Sequence, residues 1–97
     1  MKENLAIGYA GKFGDKVRSD CFVKLQLTNR GGIQSTLQSK VDSLYGQRIN
    51  DLVLEMCDFF EIKNAKIEIV DYGALDFTIT ARFEAAYKIL IQKDDCR

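Results

Sequence analysis

From Cys21 the chain alternates: Cys21, Val23, Leu25 and Leu27 fall on one side, and Phe22, Lys24, Gln26 and Thr28 on the other. A period of two is the signature of a strand with one buried face. Asn29-Arg30-Gly31-Gly32 breaks it with residues that tolerate positive φ, and Ile33, Ser35, Leu37, Ser39 and Val41 resume it. This spacing predicts an antiparallel hairpin. Asp42 and Ser43 then offer side-chain oxygens to the first free N–H groups of a helix. Tyr45, Ile49, Leu52, Val53, Met56 and Phe60 follow at steps of three and four, predicting a helix over 44–60. Gly46 weakens its first turn by about 1 kcal/mol, which so long a stripe overrules.

Past the helix, Ala65, Ile67 and Ile69 alternate with Lys66, Glu68 and Val70. Asp71-Tyr72-Gly73 supplies turn chemistry, and Leu75, Phe77, Ile79 and Ala81 alternate with Asp76, Thr78, Thr80 and Arg82, which predicts a second hairpin. Phe83, Ala86, Tyr87, Leu90 and Ile91 return to helical spacing before a polar tail, Lys93 to Arg97. The segment from Ala6 to Phe13 is a candidate for one further strand. The order β-β-α-β-β-α predicts an α+β, two-layer sandwich: a mostly antiparallel sheet of about four strands with both helices on one face. No repeat or low-complexity segment interrupts it.

Length and composition narrow the function. Ninety-seven residues, 46% hydrophobic, fit one domain over 1–97. Lys plus Arg and Asp plus Glu are equal at 14 each, so the strong positive field of a nucleic-acid binder is absent. No apolar run approaches a bilayer span of about 20 residues and the start has no secretory core, giving an expectation of no membrane contact and a cytoplasmic location. Cys21, Cys57 and Cys96 are odd in number with no C-x-x-C pair, which argues against a disulfide framework or zinc knuckle. With no His there are few soft metal ligands and no usual general base for a Ser or Cys nucleophile, so neither a metal site nor catalytic residues are expected.

Asp71-Tyr72-Gly73-Ala74-Leu75-Asp76, an alternating run, and Ala81-Arg82-Phe83-Glu84-Ala85 resemble the C-terminal half of the citrate lyase acyl carrier protein, the gamma subunit of that complex. Tyr45-Gly46, where that family has an aromatic residue and Gly, extends the resemblance. It implies a carrier rather than an enzyme. The carrier bears a phosphoribosyl-dephospho-coenzyme A arm on a serine, and the arm's thiol presents acetyl and citryl groups to a transferase (alpha) and a lyase (beta) subunit. A separate prosthetic-group transferase attaches the arm.

The family's carrier serine lies in a segment resembling Ala-Gly-Thr-x-Glu-Ser-x-Asp ahead of a strand. Here Ala10-Gly11 is followed by a longer gap to Arg18-Ser19-Asp20, with one spacer before the aspartate missing and Arg18 where the family often has Glu. A rival register, with Gly14-Asp15 on the family's Gly-Asp, puts Phe13 at the attachment position, and Phe forms no phosphodiester. The resemblance therefore points to Ser19 as the covalent site, with Asp20 as possible support, positioning a magnesium ion or a basic patch of the transferase. Without the resemblance Arg18-Ser19-Asp20 reads as a polar turn.

Asp42-Ser43-Leu44 matches the attachment triplet of fatty-acid-type carriers. Those carriers are all-helical and acidic, unlike this chain, so capping is the better reading of Ser43. Cys21 and Cys57 are expected in the core, Tyr72-Gly73 in a turn, and Arg82 with Glu84 as a solvated pair. Two alternatives remain: a malonate decarboxylase-type carrier, and a scaffold domain with no prosthetic group.

Overall fold

A computed structural model of the chain describes residues 7–14, 16–39 and 46–95. Its elements are β1 (Ile7–Gly11), β2 (Cys21–Leu27), β3 (Ile33–Ser39), α1 (Gly46–Phe59), β4 (Ala65–Asp71) and α2 (Asp76–Asp95). The sheet order is β1-β2-β4-β3, with β1–β2 and β2–β4 antiparallel and β3–β4 parallel. The α+β class, four mostly antiparallel strands and two helices packed on one face are as the sequence predicts. Asp42, Ser43 and the start of the first predicted helix lie outside the described residues.

Strand β4 takes the centre because it has the cleanest alternation. Ala65, Ile67, Ile69 and Asp71 are buried while Lys66 and Glu68 are exposed. It also overturns both predicted hairpins. β2 and β3 run in opposite directions, but β4 lies between them, pairing Leu25 with Ile67 on one side and Ile67 with Ser35 on the other. The connection 28–32 therefore spans two strand spacings, about 10 Å. Asn64 fills the opening: its carbonyl accepts from the Thr28 N–H at 3.1 Å and its side-chain oxygen from the Gly32 N–H at 2.9 Å.

The predicted strand over 75–82 is the beginning of α2 instead. Ile79, Phe83, Ala86 and Leu90 form one buried stripe at steps of four, three and four, whereas Leu75 and Phe77 are 65% and 69% exposed. The Leu75 carbonyl accepts from the Ile79 N–H at 3.1 Å and so opens the helix. Thr80, a poor helix former, bonds its hydroxyl back to the Phe77 carbonyl at 3.0 Å. The fourth strand comes from the N-terminal segment, as β1.

Helix α2 packs on β1 and β2, and α1 on β3 and α2. Gly8 makes the first contact possible, since a Cβ there would run into the Ala86 carbonyl oxygen. Val23 and Leu25 from β2, Ile67 and Ile69 from β4, Val53 and Cys57 from α1, and Phe83 from α2 form the shared core. Each large side chain so buried contributes about 1.5–3 kcal/mol. Helix α1 ends in a Schellman arrangement: Glu61 is left-handed (φ 57°), its N–H reaches the Asp58 carbonyl at 3.1 Å, and the Ile62 N–H reaches Cys57 at 2.8 Å. Among the described residues, no helix lies on the opposite sheet face.

Candidate functional site

The loop between β1 and β2 ends in an irregular pairing with β4. The Ser19 N–H donates to the Tyr72 carbonyl and the Tyr72 N–H to the Asp20 carbonyl, both at 2.9 Å. Two residues thus oppose one, immediately beyond the Cys21–Asp71 pair. This is a β-bulge of the type whose first position is left-handed and normally glycine. Ser19 occupies that position at φ 56° and is exposed. Its hydroxyl therefore stands on a bent, pinned backbone at the rim of the sheet, open to solvent.

Asp20 points the other way. Its Oδ1 accepts from the Cys21 N–H at 2.7 Å and from Arg82 Nε at 3.0 Å, and its Oδ2 from an Arg82 terminal nitrogen at 2.6 Å. A bidentate pair of this kind is the stronger form of a carboxylate–guanidinium contact. Hydrogen bonding from Arg82 holds the Asp20 carboxyl below its usual range, against the opposing effect of burial. The carboxylate is directed at α2. Arg82 and Glu84 are not a solvated pair with each other: Arg82 binds Asp20, and Glu84 binds Lys88 at 3.1 Å.

Tyr72 completes the anchoring. Its ring is buried and its hydroxyl accepts the Gly14 N–H at 3.0 Å, tying a second point of the same loop. Asp71, also buried, accepts from the Gly73 and Ala74 N–H groups at 3.2 and 2.9 Å, shaping the expected turn, which leads into α2 rather than into a strand. The stretch from Asp71 to Arg82 thus clamps the serine loop. Sequence reasoning missed this because the partners are 58 and 62 residues apart. The pairing of strands 21–27 and 65–71 brings them together, and nothing local in the sequence shows it.

On the sheet face opposite the helices, next to this loop, Phe22 touches two rings, Tyr9 at 5.9 Å and Phe13 at 5.7 Å between centroids. Lys24 Nζ lies 5.9 Å from the centre of the Tyr9 ring. Elsewhere, a groove of about 640 Å³ opens between the first turns of α1 and α2, beside the Arg48–Asp76 ion pair, and Ser19 does not line it. Cys21 and Cys57 are buried as expected, and desolvation pushes their thiols up to about 12 and about 11. Neither is a nucleophile near neutral pH. Cys96 and Ser43 lie outside the described residues.

No group of three or more His, Cys, Asp or Glu residues suited to a metal ion occurs among the described residues, and no described helix is long and apolar enough to cross a membrane.

Residues 10–90 match the family model of acyl carrier proteins described as the malonate decarboxylase delta subunit. The citrate lyase acyl carrier protein of Vibrio cholerae is 35% identical over 84% of this chain and 84% of its own length. That of Treponema denticola is 41% identical over 72% of this chain and 78% of its own, and that of Latilactobacillus sakei 38% over 84% and 80%. No solved structure matches the chain.

Proposed function

The chain belongs to the citrate lyase acyl carrier protein family, and from that membership we propose that it is the non-catalytic carrier subunit of a citrate lyase complex, bearing a phosphoribosyl-dephospho-coenzyme A arm on Ser19. The observation behind the site assignment is the exposed hydroxyl of Ser19 on a bulge pinned at Tyr72. Attachment through a phosphodiester needs a hydroxyl that a transferase reaches and a backbone that does not retreat from it. Ser19 meets both demands. Exposed Lys12, Lys16 and Arg18 on the same loop suit the phosphate of such a linkage.

When bound, the arm supplies a thiol on which an acyl group is activated and kept tethered, at high effective concentration for the partner subunits. The protein's own task is to hold the attachment point still. Arg82 does so by fixing Asp20, the next residue in the chain, and Tyr72 by bonding Ser19 and Gly14 at once. The transferase and lyase subunits, the attachment enzyme and a cytoplasmic setting belong to this proposal.

Intact mass after co-expression with the attachment enzymes tests it. The expected result is a single arm added to the natural chain and none to Ser19→Ala. An unmodified natural chain overturns the carrier reading; an arm that persists on Ser19→Ala overturns the site and moves attention to Ser43. The description of the matching family model supports a second reading, a malonate decarboxylase-type carrier. Acyl exchange by the loaded protein with citrate lyase subunits, against malonate decarboxylase subunits, decides between them.

A further inference from the structure

We infer that the aromatic cluster Tyr9, Phe13 and Phe22, with the cations of the 12–18 loop, is a stacking platform for the adenine nucleotide portion of the arm. This rests on the carrier reading above.

The cluster is hard to explain as core. Phe13 is 69% exposed and Tyr9 46% exposed, yet both gather on Phe22 on a sheet face that no described helix covers. The exposed Phe13 and Tyr9 rings are accessible to a ligand, and a purine base stacks on an aromatic ring with about 1–3 kcal/mol per base. The charges around the cluster fit phosphate. Lys12, Lys16 and Arg18 are exposed on the loop, while Lys24, near the Tyr9 ring, is paired with Glu68 at 3.9 Å and adds no net charge. Of the loop's two carboxylates, Asp20 is neutralised by Arg82, which leaves the cations in excess.

Position connects the cluster to the serine. Phe22 is three residues from Ser19, at most about 10 Å if the chain between them were fully extended. The Lys12 N–H bonds the Cys21 carbonyl at 3.1 Å, placing Phe13 at the same end of β2. A base tethered at Ser19 is therefore presented to these rings at an effective concentration in the millimolar range, so weak intrinsic affinity suffices. The consequence is a carrier that docks the nucleotide end of its arm and leaves the thiol end free to swing.

The test uses the unmodified full chain and free dephospho-coenzyme A, followed by NMR, so its outcome does not depend on whether Ser19 accepts the arm. Saturable upfield shifts of the adenine protons are expected, with matching changes at Tyr9, Phe13, Phe22 and Lys24. Phe13→Ala should weaken binding about tenfold, the loss of one stacking contact. Tyr9→Phe should retain it. Both positions are exposed enough for the fold to survive. Adenosine should bind the same residues more weakly and with little salt dependence, since it lacks the phosphates. The inference is overturned if no saturable shift occurs up to about 10 mM, well beyond the tethered concentration, if the shifts map elsewhere, or if Phe13→Ala binds as the natural chain does. Unchanged nucleotide binding in Phe13→Ala together with lost association with partner subunits would assign the cluster to protein docking instead.

Discussion

The β2–β4 ladder is closed at both ends by turns built alike, and they serve different ends. At one, the 60–64 turn enters β4 with Glu61 left-handed at φ 57°, and Asn64 binds the 28–32 connection. At the other, Tyr72 leaves β4 and binds the loop that carries Ser19, left-handed at φ 56°. Each uses one non-glycine residue in a strained region, held at Glu61 by local bonds to the end of α1 and at Ser19 by a long-range bond to Tyr72. At Glu61 the backbone is the purpose, because its amide and that of Ile62 bond back to Asp58 and Cys57 and terminate α1. At Ser19 the same backbone device presents a hydroxyl, with cations and aromatic rings nearby. A fold thus uses one local solution for closure and, at the opposite end, for presentation.

The widest separation between the two ends should appear in loading. Ser19→Ala is expected to abolish arm attachment and Glu61→Ala to leave it unchanged, read by intact mass; equal loading of both would remove the functional contrast. Next in size is stability. Tyr72→Ala, which empties a buried aromatic site, should cost about 3 kcal/mol in urea unfolding. Asn64→Ala should cost about 1–2 kcal/mol through the backbone groups it leaves unpaired. A reversal of that order would mean that the 60–64 end holds the ladder more firmly.

Arg82→Leu sharpens the comparison through pH. The carboxyl of Asp20 is held below its ordinary value in the folded chain by Arg82, so the pair stabilises fully above the unfolded carboxyl range near 4 and loses its effect as pH falls through the lower folded value. The variant should be less stable by about 1 kcal/mol at pH 7, the scale of a partly exposed bidentate pair. The gap should persist to about pH 5 and close in acid below the unfolded carboxyl range. A gap that widens on acidification would contradict the assigned pairing.

The strands 21–27, 33–39 and 65–71 and the stripe of α1 were legible because one period dominates each. Residues 75–82 were not, because Leu75, Phe77 and Ile79 satisfy a period of two while Ile79, Phe83, Ala86 and Leu90 satisfy 3.6, and only packing separates them. Sequence likewise suggested the hairpin 21–41, since Asn29-Arg30-Gly31-Gly32 suits a turn whether or not a third strand enters between its arms. Ser19 was reached through the family motif, but its backbone state was invisible. Nothing local distinguishes a polar turn from a bulge whose geometry is set by Tyr72, more than 50 residues away. Arg82 looked like surface for the same reason.

The smallest effect is the most exacting test of the parallel between the two ends. An L-residue in the left-handed region carries about 1–2 kcal/mol of strain that glycine does not. Glycine surrenders part of that advantage through the greater freedom of its unfolded chain, about 0.5–1 kcal/mol. Glu61→Gly and Ser19→Gly should therefore each stabilise the fold by about 0.5 kcal/mol, and together by about twice that, since the sites share no contact. Urea midpoints at constant m-value measure this. Glu61→Gly should load normally, while Ser19→Gly should be a more stable protein with nowhere to attach the arm. That pairing of gain and loss would identify Ser19 as a position where the chain retains a strained serine for its hydroxyl. If Ser19→Gly instead destabilises, the hydroxyl is holding the loop together, and the two left-handed residues are alike in role as well as in shape.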